Sequence, residues 1–167
     1  MALTQQLARV PLHYLDRCRE ASTSSPDGDP LWNPPEDDTL DLDGAIWELL
    51  RFCRQMRPGH PGIGILERSI DGDAEAPVAF LDHIEFYDGF GGPPALLDPS
   101  AVTEVARGLA GLHIDPLLTT LPAYRAAGGL EGFGGDPASY FTEGLARLRS
   151  FYRVAGRRGW AVVVWVD

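Results

Sequence analysis

The sequence of 167 residues contains no lysine, so all of its 14 basic residues are arginine. Asp and Glu together number 24, which gives a formal net charge of -10 and a pI of about 4.7. We interpret the missing lysine as a compositional bias of the source genome rather than a functional choice. A strongly acidic surface repels phosphate backbones, so we expect no nucleic-acid partner.

Long apolar runs are also missing from the sequence. No stretch approaches the roughly 20 apolar residues that span a bilayer, and the first residues lack the apolar core of a secretory signal. We therefore expect no membrane partner. The only two cysteines, Cys18 and Cys53, each occupy an apolar position of a predicted helix. These features predict a cytoplasmic protein with buried, reduced thiols.

Signatures of catalysis and of cofactor binding are absent as well. The sequence has no G-x-S-x-G element, no phosphate-binding loop and no dinucleotide fingerprint, so we expect no cofactor. The four histidines are scattered and lie at no zinc-site spacing from one another or from a cysteine, so no metal site is predicted. They are His13, His60, His83 and His113.

The acidic segment 41–44 has the spacing of a calcium loop but lacks its main ligand. An EF-hand loop aligned on Gly44 needs a bidentate Glu at position 50, where the sequence has Leu. We expect instead that Asp41 or Asp43 caps the helix that follows.

The pattern of apolar residues predicts one domain, residues 1–167, with helices and strands in mixed order. Its clearest helix has Asp98 as N-cap and Pro99 in the first turn, and its stripe of buried residues includes Val102 and Leu109. A loop rich in Ser, Pro and Asp covers 21–38, and Trp32 is expected to hold it against the body. The predicted helices are 11–20, 43–55, 99–112 and 137–158, and the predicted strands are 3–10, 63–70, 78–87 and 160–166.

These elements predict an α+β fold. A small, mostly antiparallel sheet includes the N- and C-terminal strands and packs with about four amphipathic helices. The segment 160–166, Trp-Ala-Val-Val-Val-Trp-Val, is apolar on both faces, which is typical of an interior strand.

Three blocks of the sequence together resemble a known family. They are LDLDGAIWELLRF (40–52), LLDPSAVTEVARGLAGL (96–112) and LRSFYRVAGRRGWAVVVWV (148–166). Their order and separation resemble the YfbM-like family, a bacterial domain of unknown function. The chain departs from the family pattern at Gly44 and Ile46, which replace a basic residue and a Trp, and it lacks the family's Tyr-Pro element. The resemblance implies an α+β fold with the first and last strands in one sheet, and it implies no activity.

The candidate catalytic residues are His83, Glu85 and Tyr87. They alternate along the predicted strand 78–87, so their side chains would share one face at intervals of about 7 Å. A His–Glu pair beside a tyrosine can serve as base, orienting group and acid, in a cleft walled by residues 88–94. The alternative is that these residues form the half-solvated face of a sheet.

The candidate binding residues are Arg149, Arg153 and Arg157, which recur every four residues along the predicted helix 137–158. Such a basic row on an acidic protein suits an anion or an acidic partner. The alternative is an intramolecular role, in which the arginines pair with acidic loops and with the negative end of the helix.

Three classes of function stay open. The missing catalytic motifs favour a non-enzymatic binding or interaction module, and the acidic surface suits a basic protein partner, such as a toxin neutralised by an immunity-type protein. The alternatives are a small hydrolase-type enzyme that uses His83 and Glu85, and a small-molecule sensor with its ligand beside the sheet. No feature of the sequence predicts an oligomeric state.

Overall fold

The structure is a computed structural model that describes residues 3–87, 89 and 91–167. Among these residues it has four strands, β1 (Gln5–Val10), β2 (Thr39–Asp41), β3 (Ala95–Leu97) and β4 (Ala161–Val166). They form one antiparallel sheet in the order β2-β1-β4-β3, so the N- and C-terminal strands lie at its centre. This arrangement confirms the predicted α+β fold and the interior position of the last strand.

Helices make up most of the remaining described residues. The four predicted helices are all present, and the inward-facing residues of the last two are buried as the sequence predicts. Among the described residues no helix is long and apolar enough to cross a membrane. The α-helices are α1 (Leu12–Ser24), α2 (Ala45–Met56), α3 (Gly62–Asp71), α4 (Pro99–Gly111), α5 (Asp115–Leu118), α6 (Leu121–Ala126) and α7 (Pro137–Arg158), and 3₁₀ turns cover Glu36–Asp38 and Ala76–Leu81.

Both faces of the sheet are covered. One face, which includes Leu7, Val162 and Val164, packs with α2, α3, α4 and α7 in the larger core. The other face, which includes Val10 and Val163, packs with α1, the 3₁₀ turn Ala76–Leu81 and the aromatic residues near it. The alternation of side chains along β1 and β4 therefore serves two cores, and this explains why the last strand is apolar on both sides.

The predicted strand 63–70 is wrong, because this segment forms α3. Its buried residues, Gly62, Leu66, Ser69 and Ile70, follow helical spacing. The β-branched isoleucines in the segment favoured a strand, but the three- and four-residue intervals between buried positions match one face of a helix.

The predicted strand 78–87 is also wrong. Val78 and Leu81 are both buried and lie three residues apart, in two short 3₁₀ turns that meet at a kink at Val78. The chain then folds back on itself, with the N–H groups of Phe86 and Tyr87 both donating to the carbonyl of His83. The two strands that complete the sheet beside β1 and β4 are therefore β2 and β3, and not the predicted strands 63–70 and 78–87.

Aspartate caps begin two of the helices, α4 as predicted and α7 in the same way. The Asp98 carboxylate accepts from the N–H of Ala101 at 2.8 Å, and the Asp136 carboxylate accepts from the N–H of Ser139 at 3.0 Å. The prediction that Asp41 or Asp43 caps α2 is wrong, because the Asp41 carboxylate accepts from the N–H of Asp43 at 2.7 Å and closes a local turn.

Trp32 holds the loop against the body, as predicted, but the loop is shorter than the predicted 21–38, because α1 continues to Ser24 and a 3₁₀ turn covers Glu36–Asp38. The Trp32 ring makes edge contacts with Phe86 and Trp165, at centroid distances of 5.0 and 6.2 Å. The spacing of Leu12, Leu15 and Cys18 predicts one buried face of α1, but Leu12 is half exposed while Leu15 and Cys18 are buried.

Candidate functional site

The predicted catalytic residues do not share a face, because the strand that would align them is a turn. The His83 ring is held by the backbone: its Nδ1 accepts from the N–H of Glu85 at 3.2 Å, and its Nε2 lies 3.0 Å from the carbonyl oxygen of Asp27. Since Nδ1 accepts from an amide, the ring proton lies on Nε2, which donates to Asp27. Both nitrogens of His83 are therefore in use: Nδ1 closes the turn at Glu85, and Nε2 holds the loop at Asp27 against this turn.

Glu85 and Tyr87 point to different surroundings. Glu85 is exposed, whereas Tyr87 is buried and its hydroxyl donates to the carboxylate of Asp82 at 2.8 Å. In the loop 88–94 that was predicted to wall the cleft, residues 88 and 90 lie outside the described residues. The described residues 91–93 line a cavity of about 250 Å³ that neither Glu85 nor Tyr87 lines. The geometry gives no shared site for the three side chains, and their catalytic role stays a prediction.

A different arrangement brings the predicted binding residues together. Helices α4 and α7 pack side by side. Gly156, near the end of α7, lies against Ala106, and Arg149, earlier in α7, contacts the end of α4, so the two helices run antiparallel. A Cβ on Gly156 would be 3.7 Å from the Cβ of Ala106. The Arg149 guanidinium donates to the carbonyl oxygens of Leu109, at 2.8 Å from Nε, and of Leu112.

A groove of about 480 Å³ runs along the outer side of this helix pair. We call it the arginine groove. Its floor consists of small residues, and arginines from both helices form its walls. The floor residues are Ala106, Ala110 and Gly156, and the wall residues are Arg107 on α4 and Arg149, Arg153 and Arg157 on α7; Thr103 also lines the groove, and its hydroxyl donates to the carbonyl oxygen of Pro99.

The arginines of the groove lack carboxylate partners. Within the described part of the chain, Arg107 and Arg157 make no ion pair, and Arg153 reaches only the hydroxyl of Ser150, at 3.4 Å. Elsewhere on the protein some arginines pair with acids, as Arg9 and Arg158 do at 2.9 Å from the Asp38 carboxylate, while others, such as Arg17 and Arg57, have no ion pair among the described residues. The groove therefore concentrates unpaired positive charge on a chain whose net charge is -10.

Arg149 differs from the other arginines of its row. Its hydrogen bonds to Leu109 and Leu112 satisfy carbonyl groups at the end of α4, where positive charge also suits the helix dipole. The intramolecular alternative therefore holds for Arg149 but not for Arg153 and Arg157, which are exposed and point along the groove.

Two smaller depressions continue the arginine groove. One of about 270 Å³ shares Ala110 and Arg149 with the groove, and the next, of about 290 Å³, shares Leu112 and His113 with the first. The last depression is also lined by His60, so the fold brings together two histidines that are far apart in sequence. No local spacing could have predicted this, because it depends on α3 packing against α4.

Neither cysteine is suited to act as a nucleophile or metal ligand. Both are free and buried, and burial raises the pKa of the Cys53 thiol to about 11 and also raises that of Cys18. The thiolate is the reactive form, so buried thiols with a raised pKa are inert near neutral pH. Among the described residues, no group of three or more His, Cys, Asp or Glu side chains could hold a metal ion.

We expect Cys53 to stay unreactive toward a thiol-specific disulfide reagent in the native protein at pH 8. With a pKa of about 11, only about one thiol in a thousand is ionised at that pH, and the side chain is fully buried. A Cys18→Ala variant isolates Cys53, and adding Ala127→Cys provides an exposed thiol for comparison. Fast reaction of the introduced thiol and release of Cys53 only in concentrated guanidinium chloride are expected. Prompt native reaction of Cys53 would contradict this account of its burial.

Comparison of the chain with known protein families, with curated proteins and with solved structures gave no match. The resemblance to the YfbM-like family accordingly stays a prediction.

Proposed function

We propose that the protein is a non-enzymatic, cytoplasmic binding module whose arginine groove takes an acidic group of its partner. One observation carries the proposal: Arg107, Arg153 and Arg157 surround a floor of small residues and have no carboxylate partner among the described residues. Carboxylates and phosphates are the groups that guanidinium binds best, through charge-assisted and often bidentate hydrogen bonds.

The spacing of the arginines adds to this argument. Like charges four residues apart on a helix destabilise it by about 0.2–0.5 kcal/mol per pair. The row from Arg149 to Arg157 contains two such pairs, and no acidic residue in the described part of the chain forms an ion pair with Arg153 or Arg157. A bound acidic group would remove this repulsion, so the groove is better suited to a complex than to the free protein.

The alternatives have less support. The hydrolase hypothesis needs the side chains of His83 and Glu85 on a common face, and the two side chains do not share one. A basic partner remains a second candidate for another surface, because Glu36, Asp37 and Asp41 are exposed around β2. That partner would bind on the acidic side of the molecule and would leave the arginine groove free.

Binding of an acidic group in the arginine groove can be tested with a labelled oligoglutamate peptide. A labelled oligolysine peptide, which carries the opposite charge, serves for comparison. We expect the double variant Arg153→Glu/Arg157→Glu to bind oligoglutamate at least about tenfold more weakly than the unmodified protein, since charge-assisted contacts are lost and repulsion replaces them. Fluorescence anisotropy at two salt concentrations measures the effect.

The matched control is Arg17→Glu/Arg57→Glu, which changes the net charge equally at exposed arginines outside the groove. The control is expected to retain most of the affinity. If both double variants lost affinity equally, binding would reflect net charge alone and the groove would not be the site. Binding of oligolysine but not oligoglutamate would favour the basic partner instead.

A further inference from the structure

The floor of the arginine groove offers few hydrogen-bonding groups to an occupant. Ala106 and Gly156 lie within helices, where backbone N–H and C=O groups bond along the helix, and the Gly156 carbonyl accepts from the N–H of Gly159. An extended peptide lying on this floor would bury backbone groups that find no partner there. A helix satisfies its own backbone groups, so it is the conformation that fits this floor.

The small residues of the floor permit a third helix to approach closely. Packed helices lie about 8–10 Å apart, and the distance depends on the side chains between them. Ala106 and Ala110 lie four residues apart on α4 and Gly156 lies opposite Ala106, so no large side chain stands in the centre of the groove.

The walls of the groove match the charge spacing of a helix. Residues four apart on a helix rise about 6 Å, so Arg153 and Arg157 present two positive charges at this interval. Carboxylates four residues apart on a second helix recur at the same rise and would meet them in register. Arg107 closes the opposite wall, where an acidic residue on the flank of the same helix would reach it.

The length of the surface favours a macromolecule over a small anion. The arginine groove passes into the two depressions beyond Arg149 through shared residues, and together these spaces extend along the end of α4. A free phosphate or carboxylate would occupy only one end of this surface.

We propose that the occupant is an amphipathic acidic helix of a partner protein, with carboxylates at i and i+4 facing Arg153 and Arg157 and small apolar residues on the floor. The inference rests on the proposed function and specifies the chemistry of the partner. It is a helix-in-groove interaction in which charge sets the register and the apolar floor supplies the buried contact.

Three labelled peptides of 18 residues test the inference. The first is an Ala-rich helical peptide with Glu at i and i+4, the second has the same composition with the Glu distributed around the helix, and the third is the first with a central Pro. We expect the first to bind at least about tenfold more tightly than the others by fluorescence anisotropy, and to gain helical circular dichroism on binding.

Filling the groove provides a second readout. Ala110→Leu places a large side chain on the floor at an exposed helical position, and Ala146→Leu makes the same change on α7 outside the groove. The first variant is expected to weaken binding of the patterned peptide about tenfold or more, and the second to leave it unchanged. Thermal unfolding of both variants verifies that they fold.

The outcomes separate the two proposals. Equal binding of all three peptides, sensitive to Arg153→Glu/Arg157→Glu, would overturn the helix inference and leave the acidic-group groove standing. If citrate or inorganic phosphate bound and none of the peptides did, the helix inference would also be overturned, and the occupant would be a small anion. If no peptide and no anion bound, both proposals would fail.

Discussion

Replacing Phe86 with Ala is expected to lower the free energy of unfolding by about 3–5 kcal/mol, whereas Ile84→Ala should change it by no more than about 0.5 kcal/mol. Phe86 is 8% exposed, and its ring centroid lies 5.0 Å from that of Trp32 and 4.8 Å from that of Trp165. Ile84, two residues earlier, is 81% exposed. The loss at Phe86 comes from removed apolar contacts and from the cavity left between the two tryptophans.

Urea unfolding followed by circular dichroism measures both variants. The pair distinguishes the turn from the strand that the sequence predicts, because the strand would place Ile84 and Phe86 on one buried face and make the two losses similar. A loss at Ile84 comparable with that at Phe86 would contradict the turn. Ile84→Ala also serves as the control, since it removes an apolar side chain from the same segment.

The helices were predictable because their signals are local. Asp98 and Asp136 each precede a proline and an apolar stripe, and both cap the helices that follow. A cap and a helical period lie within one short window of sequence, so no knowledge of the rest of the fold is needed. The same reasoning failed at Asp41, where a local turn with Asp43 uses the carboxylate before the helix begins.

The sheet was predictable only in its centre. β1 and β4 are long enough to show their character, and they pair along their full length. β2 and β3 each contain three residues, too few to show an alternation of buried and exposed side chains. They are strands only because they pair with the free sides of β1 and β4. The apolar segments 63–70 and 78–87 were stronger candidates by pattern, and they form a helix and a turn.

The sequence predicts the row of arginines on α7 but not the groove that these arginines line. Arg149, Arg153 and Arg157 follow from the spacing along one helix. Arg107 joins them only because α4 packs antiparallel to α7, and the hydrogen bonds of Arg149 depend on where α4 ends. The charge pattern of a single helix therefore identified three of the residues, and the pairing of two helices decided what each one does.

Gly72→Ala is expected to lower the free energy of unfolding by about 3 kcal/mol or more, through backbone strain and a clash together. Gly72 ends α3 with φ 71° and ψ -175°, a region that residues with a side chain avoid. A Cβ there would also lie 2.9 Å from the Cβ of Ala95 and 3.2 Å from Cγ2 of Val164. Both neighbours belong to strands of the sheet, so neither can move without shifting β3 or β4.

Gly159→Ala measures the cost of a positive φ where no clash is added. Gly159 ends α7 with a positive φ of 63°, but no atom lies within 4 Å of the position that its Cβ would take. Its replacement should therefore cost only about 1–2 kcal/mol, the usual penalty for a left-handed residue. Chemical denaturation of both variants gives the difference, and equal losses would mean that β3 and β4 yield to the added methyl group. In the sequence both glycines stand at the end of a helix or turn; the packing of α3 against the sheet and a ψ of -175° make Gly72 the less replaceable of the two.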